Sequence, residues 1–233
     1  MTSSLPIVLV PGLLCSARLY APQIEALWPY GPVTVADHRR DGEIGAAAKR
    51  ILDNAPPRFA LAGLSYGGYL AFAMMRLEPK RIAKLALLNT SARPDTPEQR
   101  AARENFIAMT TNGKFADVAD TLALRFVHRN RHDDKALMAT VRAMAEKTGA
   151  EAFILQERAI MSRPDARPLL PQIGCPTLVL VGEGDDLTTP ELAREIAGGI
   201  AGARLTVVAD CGHLSTLERP GPVNEALVRW LAA

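Results

Sequence analysis

Between Leu61 and Met75 the chain reads LAGLSYGGYLAFAMM, a short apolar run that meets a single serine and turns at once into a helical pattern. Gly63 lies two residues before Ser65 and Gly67 two after it, so the stretch Gly63-Leu64-Ser65-Tyr66-Gly67 fits G-x-S-x-G. A nucleophile held on a very tight strand-to-helix turn sits in a strained conformation. Side chains two residues to either side would collide with neighbouring backbone, so glycine is required there. The turn lifts the serine hydroxyl clear of a sheet and aims a helix N-terminus at the reacting centre. A phosphate loop fits badly, because neither a Gly-Lys-Ser/Thr ending nor G-x-G-x-x-G is present. A plain tight turn is the bland alternative, and the rest of the constellation decides against it.

A serine hydroxyl needs a base, and the base needs an orienting acid. The chain has four histidines. His213 lies in Asp210-Cys211-Gly212-His213-Leu214, directly after the last expected strand, and is the best base. His38 follows an early strand. His128 and His132 are spaced i, i+4, but no third metal ligand accompanies them, so they read as a solvated helix face. For the acid, the loop Gly182-Glu183-Gly184-Asp185-Asp186 opens at the sheet edge that would carry Ser65 and His213. Asp185 is the choice and Asp186 its rival. Asp210 is a weaker rival, being too near His213 in the chain to reach the far ring nitrogen easily. The resulting order is serine, aspartate, histidine.

These residues need a sheet edge to hold them, and the chain supplies one. Short apolar runs at 5–10, 33–36, 59–62 and 82–88 alternate with helical patterns at 18–28, 43–52 and 66–77, the signature of a parallel sheet wrapped by helices. From Ser91 the pattern changes. Thr96-Pro97-Glu98-Gln99 has the form of a helix start, and Asn112-Gly113 of its stop. Helical stretches follow at roughly 114–128, 134–148 and 150–162, closed by Pro164, Pro168 and Pro171. Strand, helix, strand and helix then resume at 177–181, 190–197, 205–208 and 222–231, with Glu218 and Arg219 at the start of the last helix. The layout is an α/β core of residues 1–91 and 171–233, with a helical cap of 92–170 over the strand ends.

Composition limits the partners. The 233 residues are 48% hydrophobic with a net charge of +2, enough for one large core. The basic clusters, His38-Arg39-Arg40 and Arg125 to His132, lack the length and aromatic interleaving of a nucleic-acid surface. No apolar stretch reaches the ~18 residues of a membrane span, and the run 1–14 has no basic start, so it reads as a strand, not a signal peptide. Cys15, Cys175 and Cys211 are odd in number and lack metal-ligand spacing. They read as reduced thiols of a cytoplasmic protein.

Together these residues resemble the α/β-hydrolase superfamily over nearly the whole chain. Gly63 to Gly68 resembles its nucleophile elbow, Gly182 to Asp185 its acid loop, Gly212-His213 its histidine loop, and Val8 to Gly12 its oxyanion strand and loop. The helical block resembles its cap, placed after the sixth strand of the standard fold, whose first two strands this chain lacks. Many relatives have His-Gly where Pro11-Gly12 stands here. The resemblance implies that the backbone N–H groups of Leu13 and Tyr66 bind the oxyanion. Removing one such donor typically costs ~10²–10³ in rate.

A serine nucleophile argues against the dehalogenase and epoxide hydrolase branches, which use aspartate there. It favours acyl transfer to water, so the expected enzyme is a carboxylesterase-like hydrolase of a small ester or thioester. No cofactor or metal is implied, and the partner expected is a small-molecule ester or acyl substrate, with no nucleic acid or membrane. Of the apolar cap residues Phe106, Met109, Phe126, Phe153 and Met161, one or two should line a pocket and the rest pack helices. Tyr66 and Cys15 are candidates for shaping the pocket. Arg39 or Arg40 could bind a carboxylate, though surface pairing suits them better. Two other readings stand beside the esterase: carbon–carbon hydrolysis or lyase chemistry with the same triad, and a non-catalytic ligand-binding protein on this fold.

Overall fold

The computed structural model describes residues 4–232. Residues 1–3 and 233, which the expected core segments and the N-terminal run include, lie outside the described residues. Six strands form one sheet: β1 (Ile7–Val10), β2 (Val33–Val35), β3 (Phe59–Leu64), β4 (Ile82–Leu88), β5 (Thr177–Gly182) and β6 (Arg204–Val208). The helices are α1 (Ala21–Leu27), α2 (Ile44–Asn54), α3 (Tyr66–Leu77), α4 (Pro97–Thr111), α5 (Phe115–Phe126), α6 (Lys135–Thr148), α7 (Ala150–Met161), α8 (Pro190–Gly199), α9 (Ser215–Glu218) and α10 (Pro220–Ala232).

The strand order is β2-β1-β3-β4-β5-β6 and every pairing is parallel. The central strands are buried on both faces, which is why β1 (IVLV), β3 (FALAGL) and β5 (TLVLVG) read as unbroken apolar runs. Helices cover them with apolar stripes. In α2 the buried residues Ile44, Ala47, Ala48, Ile51 and Leu52 follow the i, i+3, i+4, i+7 spacing of one helix face. The chain order reverses about β1, so the loops leaving β1 and β3 lie side by side, with Val10 in register with Gly63. Such switch points at the carboxyl edge of a parallel sheet are where α/β folds bind ligands.

After β4 the chain leaves the sheet for α4 to α7 and returns at β5. Thr96 and Gln99 form a reciprocal capping box at the start of α4, and Gly113, at φ +80°, follows its end. Asp134 caps α6 through the Leu137 N–H.

Two expectations fail here. Glu218 and Arg219 do not start the last helix. Glu218 ends the separate short helix α9, and Arg219 breaks it with φ −137° and ψ +63°. The residue before a proline is pushed out of the helical region, and Pro220 then opens α10. Nor do His128 and His132 share a solvated helix face. Helix α5 stops at Phe126, and the His132 ring turns back to the Leu124 and Val127 carbonyls at 2.9 and 3.0 Å.

Candidate active site

Ser65 occupies the turn between β3 and α3 with φ +57° and ψ −115°, a conformation that costs a non-glycine residue about 1–3 kcal/mol. The surroundings hold it there. Its N–H donates to the Leu88 carbonyl at 2.9 Å, and its own carbonyl accepts the Thr90 hydroxyl at 2.9 Å. Both flanking glycines are required. A Cβ on Gly63 would overlap the Gly67 carbonyl, and one on Gly67 would overlap the Val10 carbonyl. Helix α3 begins at the next residue, so its positive end faces the serine.

Ser65 Oγ lies 2.8 Å from His213 Nε2, and His213 Nδ1 lies 2.9 Å from Asp185 Oδ2. Asp185 is 2% exposed. Burial by itself would raise its carboxyl, but the adjacent imidazole and the donors on its oxygens outweigh this and hold it down to about 2. An ionised Asp185 only accepts, so Nδ1 carries the proton and Nε2 is left to accept from the serine hydroxyl. The rivals lie elsewhere. Asp186 is exposed, and Asp210, at φ +48°, pairs with Arg219 at 3.5 Å.

Three supports of this arrangement escape sequence reasoning. Thr188 donates its hydroxyl to Asp185 Oδ2 at 2.6 Å, while the amides of Leu187 and Thr188 donate to Oδ1. Asn89, fully buried at the end of β4 with φ +45°, donates to Asp185 Oδ2 at 2.8 Å and to the Gly212 carbonyl at 3.1 Å. The Glu218 carboxylate, 2% exposed, accepts the amides of His128, Gly212 and Leu214 at 3.0 to 3.1 Å. It bonds the backbone on both sides of His213, from five residues further along the chain.

The other wall of the site is the loop after β1. The amide N–H groups of Leu13 and Tyr66 have no acceptor within the chain among the described residues, so both remain free to donate. Leu14 adopts φ +58°, and its amide donates to Gln156 Oε1 on α7 at 3.1 Å. Gln156 Nε2 in turn donates to His38 Nδ1 at 3.0 Å, and His38 Nε2 donates to the Pro11 carbonyl at 3.0 Å. Burial pushes the His38 pKa down to about 4, so the ring is the neutral tautomer these bonds require. A histidine thus reaches the Pro11-Gly12 loop from beyond β2.

A cavity of about 290 Å³ lies between Ser65, His213, Leu13 and the cap helices. Phe106 and Phe126 line it, whereas Met109, Phe153 and Met161 do not. The Phe126 ring rests on His213 with centroids 5.7 Å apart. Tyr66 and Cys15, expected to shape the pocket, point into the core at 0% and 4% exposure. Tyr66 packs edge-on against His38. Arg39 pairs with Asp37 on the surface at 2.8 Å and does not line the cavity. Of the basic cluster Arg125 to His132, Arg125 lines the cavity, and sequence reading missed Arg93, Arg103 and Arg163, which line it too.

Residues 7–226 match the model of the alpha/beta hydrolase family, and the chain belongs to that family. Its structure superposes on a thermophilic esterase from Thermogutta terrifontis, determined with malate bound, with a TM-score of 0.90 and 29% identity, covering 99% of this chain and 90% of that one. It superposes equally well on the enol-lactonase of Burkholderia xenovorans LB400, with a TM-score of 0.89 and 28% identity over 99% and 92% of the two chains. Among sequence relatives, the pimeloyl-(acyl-carrier protein) methyl ester esterase of Neisseria meningitidis is 25% identical over 82% of this chain and 78% of its own length.

Proposed function

We propose that this protein is a serine hydrolase that cleaves a small carboxylic ester, lactone or thioester through an acyl-enzyme. The observation that carries the reading is the hydrogen-bonded chain Ser65–His213–Asp185, at 2.8 and 2.9 Å, opening into a cavity beneath the cap. Ser65 Oγ attacks the acyl carbon while His213 Nε2 takes its proton. The imidazolium, held by ionised Asp185, passes that proton to the leaving oxygen or sulfur. The Leu13 and Tyr66 amides receive the oxyanion. Water activated by His213 then frees the acyl group and restores Ser65. No step calls for a cofactor or metal.

The same reading divides the chain into a core of 1–91 and 171–233 and a cap of 92–170 that closes the cavity. Its partner is a small-molecule ester or acyl substrate, without nucleic acid or membrane. Among the described residues no helix is long and apolar enough to cross a membrane. Three free thiols, two of them buried, suit a reducing cytoplasmic setting.

A second reading, carbon–carbon hydrolysis or proton abstraction by the same residues, draws on the arginine-rich cavity wall. One experiment separates them. A series of p-nitrophenyl esters, acetyl to long-chain, is given to the wild type and to Ser65→Ala. Turnover by the wild type alone, with an optimum at short chains, supports the esterase. Turnover that survives Ser65→Ala removes the nucleophile assignment, and a folded wild type inert to every ester favours the second reading.

A further inference from the structure

The arginines of the cavity wall are not alike. Arg93 pairs with Glu195 at 2.9 Å, Arg163 with Asp95 at 2.7 Å, and Arg103 bridges Asp95 at 2.8 Å and Glu157 at 2.7 Å. Three guanidinium groups are therefore paired with three carboxylates, and burial pushes the Glu157 carboxyl up. Asp95, at 4% side-chain exposure, and Glu157, at 1%, are consumed by these pairs. Arg125 is different. Among the described residues it has neither an ion pair nor a side-chain hydrogen bond, yet it lines the cavity that contains Ser65 and His213.

Arg125 also lines an adjoining cavity of about 290 Å³ on the far side of His213, and Leu187 and His213 belong to both. It therefore belongs to the part of the wall that adjoins His213 and Leu187. The one carboxylate lining that adjoining space, Asp186, is exposed and forms no ion pair with it. Leu122, Phe106 and Phe126 share the wall with Arg125. Arg125 is solvent-exposed without a ligand, and a ligand that fills this apolar-walled cavity would shield its guanidinium from water and strengthen its pairing with an anion carried by that ligand.

We infer that the substrate carries a carboxylate, and that Arg125 binds it while the ester is presented to Ser65. This rests on the hydrolase reading above and narrows it to acidic esters. Among the described residues Arg125 is the one arginine lining the Ser65 cavity that has no ion pair, and a single guanidinium suits a monoanionic carboxylate better than a dianionic phosphate monoester. A planar guanidinium also meets a carboxylate two bonds at a time.

Matched ester pairs test it. Monomethyl glutarate is set against methyl 5-methylhexanoate, in which an isopropyl group replaces the carboxylate. The butyrate ester of 3-hydroxypropanoate is set against isopentyl butyrate, so that either half of the ester is covered. In at least one pair the wild type should favour the charged member in kcat/KM by about tenfold, the size of one good charge-assisted contact. Arg125→Gln should erase that ratio, 0.5 M salt should shrink it, and Arg142→Gln, a surface cation elsewhere on the cap, should preserve it.

A ratio of one or less in both pairs, or a ratio indifferent to Arg125→Gln, overturns the inference and leaves the esterase standing. Binding supplies an arm independent of turnover. Ser65→Ala is titrated with the same four esters by calorimetry. Tighter binding of a charged member that disappears in Ser65→Ala/Arg125→Gln supports the carboxylate site even if the wild type hydrolyses none of them, an outcome that sinks the esterase alone. Equal binding within both pairs overturns the site.

Discussion

The two walls that flank Ser65 are held in different ways. On the histidine side, Asp185 collects five donors and Glu218 three, and all but the His128 amide come from the sheet edge and its own loops. On the oxyanion side, the Leu14 amide and the Pro11 carbonyl are bridged by Gln156 and His38, both neutral, and Gln156 belongs to the cap. Charge-assisted bonds of a buried carboxylate are roughly twice as strong as neutral ones. On the reading proposed above, the base is fixed by the core, while the proposed oxyanion loop is tied to α7 through Gln156. One wall is then built for constancy, and the other couples the cap to the chemistry.

The contrast breaks most severely at Asp185. Asp185→Asn keeps the shape but presents an amide to His213 Nδ1, favouring the tautomer that cannot accept from Ser65. We expect kcat to fall by roughly 10³–10⁴ with little change in fold. Asp186→Asn, on the exposed neighbour, should stay within about twofold. Steady-state rates of the two variants on the best p-nitrophenyl ester check this, and a larger loss at Asp186 would reassign the acid.

The walls should also part company in acid. Buried His38 resists protonation down to about 4, whereas in the unfolded chain it gains a proton near 6.5. Between those values the unfolded state binds more protons, so stability declines as pH falls, by up to about 3 kcal/mol from this group. The Asp185 contribution is present above the ordinary carboxylate pKa near 4 and is lost only as pH falls toward about 2. The oxyanion side should therefore weaken first. Urea unfolding at pH 7, 5 and 4 should show a steep decline in the wild type and a shallower one in His38→Asn. Equal slopes would mean that His38 protonates freely in the folded state.

A third comparison separates the cap's structural role from its role in rate. Gln156→Leu fits the volume but leaves the Leu14 amide and the His38 ring without their partner. We expect kcat to drop about tenfold, with a smaller change in KM, because a loosened loop impairs transition-state stabilisation more than ground-state binding. Should KM rise and kcat hold, α7 would serve the substrate and not the oxyanion.

How much of this was legible depends on distance along the chain. The fold was readable because each strand announces itself locally, as FALAGL and TLVLVG do. Ser65 was readable because the elbow needs its glycines within two residues on either side. His213 and Asp185 followed from the loops after identifiable strands. Asn89 and Gln156 were not found, because their bonds run to Asp185 and Leu14, which are 96 and 142 residues away. Glu218 escapes although two of its three bonds are local, to Gly212 and Leu214, because the sequence pattern puts it in the last helix and not in a turn folded back on His213. A buried asparagine with positive φ at a strand end leaves a faint trace in the sequence. A glutamine on a helix face leaves none. The paired arginines failed for the same reason, since the Arg103–Glu157 bridge spans 54 residues.

The smallest expected effect sharpens the contrast from the side of the nucleophile. Tyr66 offers the site its amide, while its ring is 0% exposed and packs against His38. Its hydroxyl is buried without a hydrogen-bond partner. Because no protein group bonds this hydroxyl, removing it strands no protein donor or acceptor and costs little. Tyr66→Phe should therefore leave kcat within about twofold and leave Tm unchanged or slightly raised. Tyr66→Ala, by contrast, opens a cavity beside His38 and should cost about 3–5 kcal/mol of stability. Thermal melts and ester turnover on both variants decide it. A rate loss of a hundredfold in Tyr66→Phe would show that the hydroxyl, and not the main-chain N–H, is what residue 66 contributes to the reaction.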